Sequence, residues 1–225
     1  MTFEINDFEA FDDEEGVNDF GLIGQSRISD GSANTDFQDN VLIYNENFGR
    51  TIDIAANSEW TETLVGGSTQ TQTSGILTLT AVTSISEKNN GFQINVAGKN
   101  KKIRLKTNLK YTGAGSSTAS YLGFQSASNF AIYFLKTGAS TWAGYIMDEA
   151  TNEYQTANFT VSASAYHEWE IIFNSNRADF YIDGVLKGTL NGNISVANCN
   201  LVFFAAVSVV FDIDWVRVWE AVVPK

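Results

Sequence analysis

One cysteine, one proline and one histidine are all the chain holds of three residue types that usually anchor disulfides, breaks and metal sites. Cys199 alone cannot close an intrachain disulfide or a cysteine-based metal cluster, and in an apolar strand it reads as a small buried hydrophobe. His167 alone leaves no second imidazole for zinc. No stretch approaches the ~18 apolar residues of a membrane-spanning helix, so membrane insertion is not expected. Met1 leads into Thr-Phe-Glu-Ile-Asn-Asp rather than a basic and then apolar leader, so no signal peptide is visible. A Gly-x-Ser-x-Gly elbow, a Walker loop and a dinucleotide fingerprint are missing as well. So are long Glu/Lys/Leu runs at helical spacing.

What is present suits a packed β protein. The 225 residues are 44% hydrophobic and 13% aromatic, enough for a full core without covalent staples. The net charge of −12 repels phosphate backbones and excludes nucleic acid as a partner. That charge is concentrated at one end: residues 1–40 carry eleven acids and a single base, Arg27, and the remainder is nearly balanced. Phe3, Phe8, Phe11 and Phe20 punctuate the acidic segment, whereas solvated acidic tails lack aromatics. Two regions are therefore expected: an extended acidic arm over 1–40 and a β domain over 41–225.

From residue 41 the chain reads as short strands with Ser/Asn/Gly turns. Ile103, Leu105, Thr107, Leu109 and Tyr111 alternate with Lys102, Arg104, Lys106, Asn108 and Lys110, a half-buried strand with a charged outer face. His167, Trp169, Ile171 and Phe173 alternate with Glu168 and Glu170 in the same way. Asp183-Gly184 between two apolar runs is a hairpin signal.

Three segments in order carry a family resemblance: Tyr166-His-Glu-Trp-Glu-Ile-Ile-Phe173, Ala178-Asp-Phe-Tyr-Ile-Asp-Gly184 and Phe211-Asp-Ile-Asp-Trp-Val-Arg-Val-Trp219. A Trp-centred strand, a hairpin ending Asp-Gly and a closing Asp-Trp-Val-Arg-Val strand resemble the concanavalin A-like superfamily of lectins, laminin-G-like modules and family 16 glucanases. The resemblance implies an all-β jelly-roll sandwich of two antiparallel sheets. Its glucanases place acids as Glu-x-Asp-x-x-Glu along one strand, where alternation aims all three into the cleft. This chain has no such string. Glu168/Glu170 and Asp212/Asp214 share faces pairwise, but read as solvated strand faces or as partners for Arg217 or Lys187. The expectation is a chain without catalytic residues, and not an enzyme. His167 reads as a packed or hydrogen-bonded imidazole. No cofactor is indicated, and although lectins of this fold often use calcium, no acidic loop marks a site.

Two surfaces are candidates for binding. Sugar sites on sandwiches combine rings with polar side chains, which singles out Trp142, Tyr145, Tyr154, Trp60 and Tyr121 for surface glycans, with Trp142 and Tyr154 foremost. The second is the basic stripe of Lys102, Arg104, Lys106 and Lys110. It is complementary in charge to the arm, which suggests arm-to-strand docking between subunits or onto other proteins of an assembly. A sandwich fold of extracellular type without a visible leader or disulfides, and with such an arm, fits a structural or adhesion protein of a virion surface, or an extracellular one. A carbohydrate-binding module is the alternative, and a divergent glycoside hydrolase the third reading.

Overall fold

The computed structural model describes residues 41–48, 60–94, 101–113, 120–126, 130–148, 150–192, 194 and 199–222, without the side chains of 90–94 and 101. Phe3, Phe8, Phe11 and Phe20 of the acidic segment lie outside them. Within them the chain is all β: sixteen strands and no helix, hence none long and apolar enough to cross a membrane.

The strands are β1 (Val41–Glu46), β2 (Trp60–Val65), β3 (Thr69–Thr73), β4 (Ile76–Thr80), β5 (Ser84–Ile94), β6 (Lys101–Thr112), β7 (Tyr121–Ser126) and β8 (Ala131–Lys136). They continue as β9 (Thr141–Met147), β10 (Glu153–Gln155), β11 (Phe159–Thr160), β12 (Tyr166–Phe173), β13 (Arg177–Ile182), β14 (Val185–Asn191), β15 (Cys199–Ala206) and β16 (Val210–Val222). Two antiparallel sheets result. Sheet A runs β14-β13-β12-β6-β16-β4-β3, with β1 also paired to β16. Sheet B runs β10-β9-β8-β7-β15-β5-β2, with β11 also paired to β9.

Alternation along each strand sends one set of side chains between the sheets. Leu105 and Leu109 of β6, Trp169 and Ile171 of β12, Phe134 of β8, Trp142 of β9 and Phe203 of β15 are all fully buried there. The rings pack edge to face: Trp142 lies 4.7 Å from Trp169, and Phe134 lies 5.1 Å from Trp169 and 5.3 Å from Phe180. Each such ring contributes roughly 2–3 kcal/mol through burial. Two polar groups carried inward find carbonyl partners: Trp169 Nε1 donates to the Leu109 carbonyl (3.1 Å) and the Tyr111 hydroxyl to the Val161 carbonyl (2.6 Å). The Asp183-Gly184 turn has φ of 51° and 74°, the pair of positive values that a two-residue hairpin of matching twist requires.

The outward face of sheet A is where the basic stripe lies, and its charges are answered within the sheet. Arg104 meets Glu170 at 2.5 Å, Lys106 meets Glu168 at 2.8 Å and Lys110 meets Asp212 at 2.7 Å. Antiparallel register brings these acids alongside β6 from β12 and β16. The hydrogen bond to Asp212 holds the Lys110 ammonium above its ordinary pKa. Lys102 lies half-buried on the same strand. Glu168, Glu170 and Asp212 therefore pair with β6 cations rather than with Arg217 or Lys187, Asp214 accepts from Asn108 (2.9 Å), and Arg104, Lys106 and Lys110 already have partners at home. Arg217 instead donates to Asn45 and lies over the Trp215 ring.

Candidate functional site

The outward face of sheet B has a different chemistry. Tyr121 on β7, Tyr133 on β8, Tyr145 on β9 and Phe204 on β15 form a ladder across four adjacent strands. Ring centroids are 4.9 Å apart for Phe204–Tyr121, 4.6 Å for Tyr121–Tyr133 and 4.8 Å for Tyr133–Tyr145, with planes 8–24° from parallel. The spacing is that of neighbouring strands. Tyr133 pairs directly with Tyr145 and Phe204 with Tyr121. Opposite Tyr133 on the other side stands Gly123, whose φ of 150° and missing side chain let β7 and β8 close up. A Cβ there would lie 2.3 Å from the Ile132 carbonyl oxygen and 2.8 Å from the Tyr133 Cβ.

Because each ring stacks on the next, the inner rings have their faces covered and turn edges and hydroxyls outward. The Tyr121 hydroxyl donates to Gln125 Oε1 (3.2 Å). Gln125 is paired with Asn200, which places an amide pair on the same face. The Tyr145 phenol has the Tyr133 phenol on one side and the Glu153 carboxylate of β10 on the other. Among the described strands of sheet B, Glu153 is the carboxylate on the outward face. Burial raises the Tyr121 and Tyr133 phenols, and burial together with the nearby Glu153 carboxylate pushes Tyr145 up to about 12. The row therefore stays neutral and keeps its donors through the physiological range.

That has a measurable consequence. A phenol whose folded pKa lies above its unfolded value, near 10, favours the fold fully below that value, and the contribution is lost as pH rises through the folded pKa. Tyr111, Tyr166 and Tyr181 are raised by burial too, which makes six of the eight tyrosines. An alkaline titration followed by phenolate absorbance and circular dichroism should show most phenols ionising only as the sandwich unfolds. Ionisation completed near pH 10 with structure retained would contradict it.

The sequence candidates divide between the two sides of sheet B. Tyr145 and Tyr121 stand on the outward ladder. Trp142 is fully buried and Trp60 is 5% exposed, both in the core, so neither offers a ring to a sugar. Trp142 has the parity of Ile146 and so points inward, opposite to Tyr145. Tyr154 pairs with Ile146 and faces the core side at the sheet edge, its ring approaching Gly192, although 37% of its surface is exposed. Tyr133, Phe204, Gln125 and Glu153 were not anticipated. A readable signal existed: Tyr121, Tyr133 and Tyr145 recur every twelve residues, the length of one strand plus one turn, and an even repeat returns to the same face. No group of three or more His, Cys, Asp or Glu side chains that could hold a metal occurs among the described residues.

No family model matches the sequence, and no curated protein matches it significantly. Solved structures do match. The endo-β-1,3-glucanase of Pyrococcus furiosus has a TM-score of 0.62 at 14% identity, covering 82% of this chain and 96% of its own. A laminarinase from Flavobacterium sp. UMI-01 has a TM-score of 0.59 at 15% identity, over 79% and 99%. The fold is the concanavalin A-like jelly roll. The carbohydrate recognition domain of Emp47p shares it, with a TM-score of 0.55 at 11% identity over 80% and 96%.

This jelly roll is thus a scaffold on which glucan hydrolases and lectin domains are both built. The expectation of a non-enzymatic chain is overturned by the number of endo-glucanases among its structural relatives. The physical reason is that function resides in side chains grafted onto a shared frame, so one strand lacking one acid string does not decide the matter. The virion role gains no support from the fold or from these matches.

Proposed function

We propose that the chain is a carbohydrate-active jelly roll whose tyrosine ladder on the outward face of sheet B receives a β-linked glucan. The ladder carries the reading. The face combines stacked aromatic bodies with a neutral row of hydroxyls and amides, the mixture that a polyhydroxylated, uncharged chain requires. Sheet A offers instead a face of ion pairs that satisfy one another. Because ring edges rather than ring faces point outward, recognition here is by hydroxyl hydrogen bonds more than by sugar-on-ring stacking. Structural relatives include laminarinases and a LamA variant of Z. galactanivorans in complex with laminaritriose and laminaritetraose, which makes β-1,3-glucan oligosaccharides the first ligands to try.

Calorimetric titration with laminaritetraose should give binding that weakens at least tenfold in Tyr133→Ala, about 1.4 kcal/mol or more. Tyr133→Phe should lose part of that affinity, since it keeps the ring and removes the hydroxyl. Unchanged affinity in both variants would move the site elsewhere.

The nearness of the Glu153 carboxylate to the Tyr145 phenol favours a second reading, glycoside hydrolysis on the same face. The usual pair of carboxyls is not available there among the described residues. A phenol coupled to a carboxylate is a known substitute nucleophile in some glycosidases. Release of reducing ends from laminarin that disappears in Glu153→Gln, with oligosaccharide binding retained, would establish this reading over simple binding.

A further inference from the structure

The one histidine stands in a hydrogen-bonded chain that the glucan reading does not use. Ser162 Oγ lies 2.7 Å from His167 Nε2, and His167 Nδ1 lies 2.6 Å from Asp183 Oδ2. The second oxygen of Asp183, Oδ1, accepts from the Glu168 amide at 2.9 Å. Three segments converge on the spot. Ser162 is in the loop after β11, where the chain crosses from sheet B to sheet A. His167 is near the start of β12, and Asp183 is the first residue of the β13–β14 turn.

Their roles follow from what each atom can do. An ionised carboxylate only accepts, so Nδ1 carries the proton it shares with Asp183. In the neutral imidazole Nε2 is then an acceptor, aimed at the Ser162 hydroxyl. Burial pushes the Asp183 carboxyl up, but the Glu168 amide and His167 more than offset it and hold the acid below its ordinary pKa. The frame is stiff: the Ser164 amide donates to the Tyr111 carbonyl (2.8 Å), the Val161 amide to the Ser140 carbonyl (3.0 Å), and the Asp183 amide to the Glu168 carbonyl (2.9 Å).

We propose that Ser162, His167 and Asp183 form an acyl-transfer site, with Ser162 as nucleophile, His167 as general base and Asp183 as the group that orients the ring. A nucleophile within reach of a base, with the base held by a third group, is the arrangement that defines such sites whatever the fold or chain order. Ser162 Oγ attacks the carbonyl carbon of an ester while its proton moves to Nε2, and the alcohol leaves with that proton. Water then attacks the acyl-serine and gives a proton to Nε2. The carboxylic acid departs, and that proton returns to Ser162 Oγ. The net change is ester plus water to acid plus alcohol. Because Ser162 is exposed, the substrate class is a small acyl group on an accessible alcohol, such as an acetyl ester. This site stands independently of the tyrosine ladder.

A fluorophosphonate probe on the intact chain, followed by peptide mapping, tests it. The expected result is labelling at Ser162 in preference to the chain's other serines, abolished in Ser162→Ala and in His167→Gln and reduced at least tenfold in Asp183→Asn. Hydrolysis of p-nitrophenyl acetate should fall in parallel. Melting temperatures of the variants separate loss of chemistry from loss of fold, and Ser162→Ala and Asp183→Asn alter exposed positions. An unlabelled Ser162, or labelling equal in folded Asp183→Asn and wild-type protein, would overturn the proposal. A purely structural staple would change stability without producing a reactive serine.

Discussion

Replacing Glu170 with alanine should destabilise the sandwich by about 3–5 kcal/mol. Glu170 and Arg104 are 5% and 7% exposed and meet at 2.5 Å on neighbouring strands. Removing the carboxylate leaves a guanidinium that cannot deprotonate inside a nearly dry site, with the Trp219 ring at 5.5 Å still beside it. For a domain of this size the loss corresponds to a fall in Tm on the order of 10 °C. Urea unfolding of Glu170→Ala and of Arg104→Met/Glu170→Leu is the decisive comparison. The double variant should recover most of the loss, because desolvating the pair consumes much of what its attraction returns. A loss below ~1 kcal/mol in the single variant would place the pair among ordinary surface ion pairs. The exposed Arg177–Asp179 contact belongs in that weaker class, since Arg177 is half in solvent.

Gly123→Ala should have an effect of similar size and should also abolish ligand binding. The residue sits at φ 150°, in a region essentially reserved for glycine, which costs roughly 1–3 kcal/mol for alanine. The added methyl meets backbone, the Ile132 carbonyl oxygen at 2.3 Å and the Tyr133 Cα at 2.7 Å, and neither can rotate away. Overpacking of that kind adds roughly 1–3 kcal/mol. The alternative to a clash is separation of β7 from β8, which would pull Tyr121 and Tyr133 out of contact. Thermal melting and laminaritetraose titration of the folded variant read the two consequences separately. A folded Gly123→Ala protein that binds normally would show that the ladder's close spacing is not needed for recognition.

Much of the frame was legible because its strands mark their own faces. β6 and β12 alternate charge with apolar residues, and Asp183-Gly184 announces its turn. β9 carries no such marker: Thr141-Trp-Ala-Gly-Tyr-Ile-Met147 is apolar on both sides, so nothing local says that Trp142 points inward and Tyr145 outward. β5 is harder to read from its residues. Its core-facing positions include Glu87 and Asn89, both fully buried, and that polarity disguises eleven residues of strand. β3, Thr69-Gln-Thr-Gln-Thr73, shows no apolar residue at all and is held at the sheet edge by register with β4. The basic stripe on β6 was plain, but its partners sit on β12 and β16, more than sixty residues further along. Ser162, His167 and Asp183 were equally hidden, since only the loop and the hairpin bring them to one point.

The pairing of β1 with β16 governs when the fold can be completed. β16 lies between β6 on one side and two partners on the other, β4 along Val210–Ile213 and β1 along Val216–Glu220. The Asn45–Arg217 contact therefore joins residues 172 positions apart. A ribosome must make β16 before the centre of sheet A exists, so both halves of that sheet wait with open edges. Folding of this topology is slow, because its central pairings join distant parts of the chain. Once closed, the first and last described strands are locked to one another, and unravelling from either end must break the middle of a sheet.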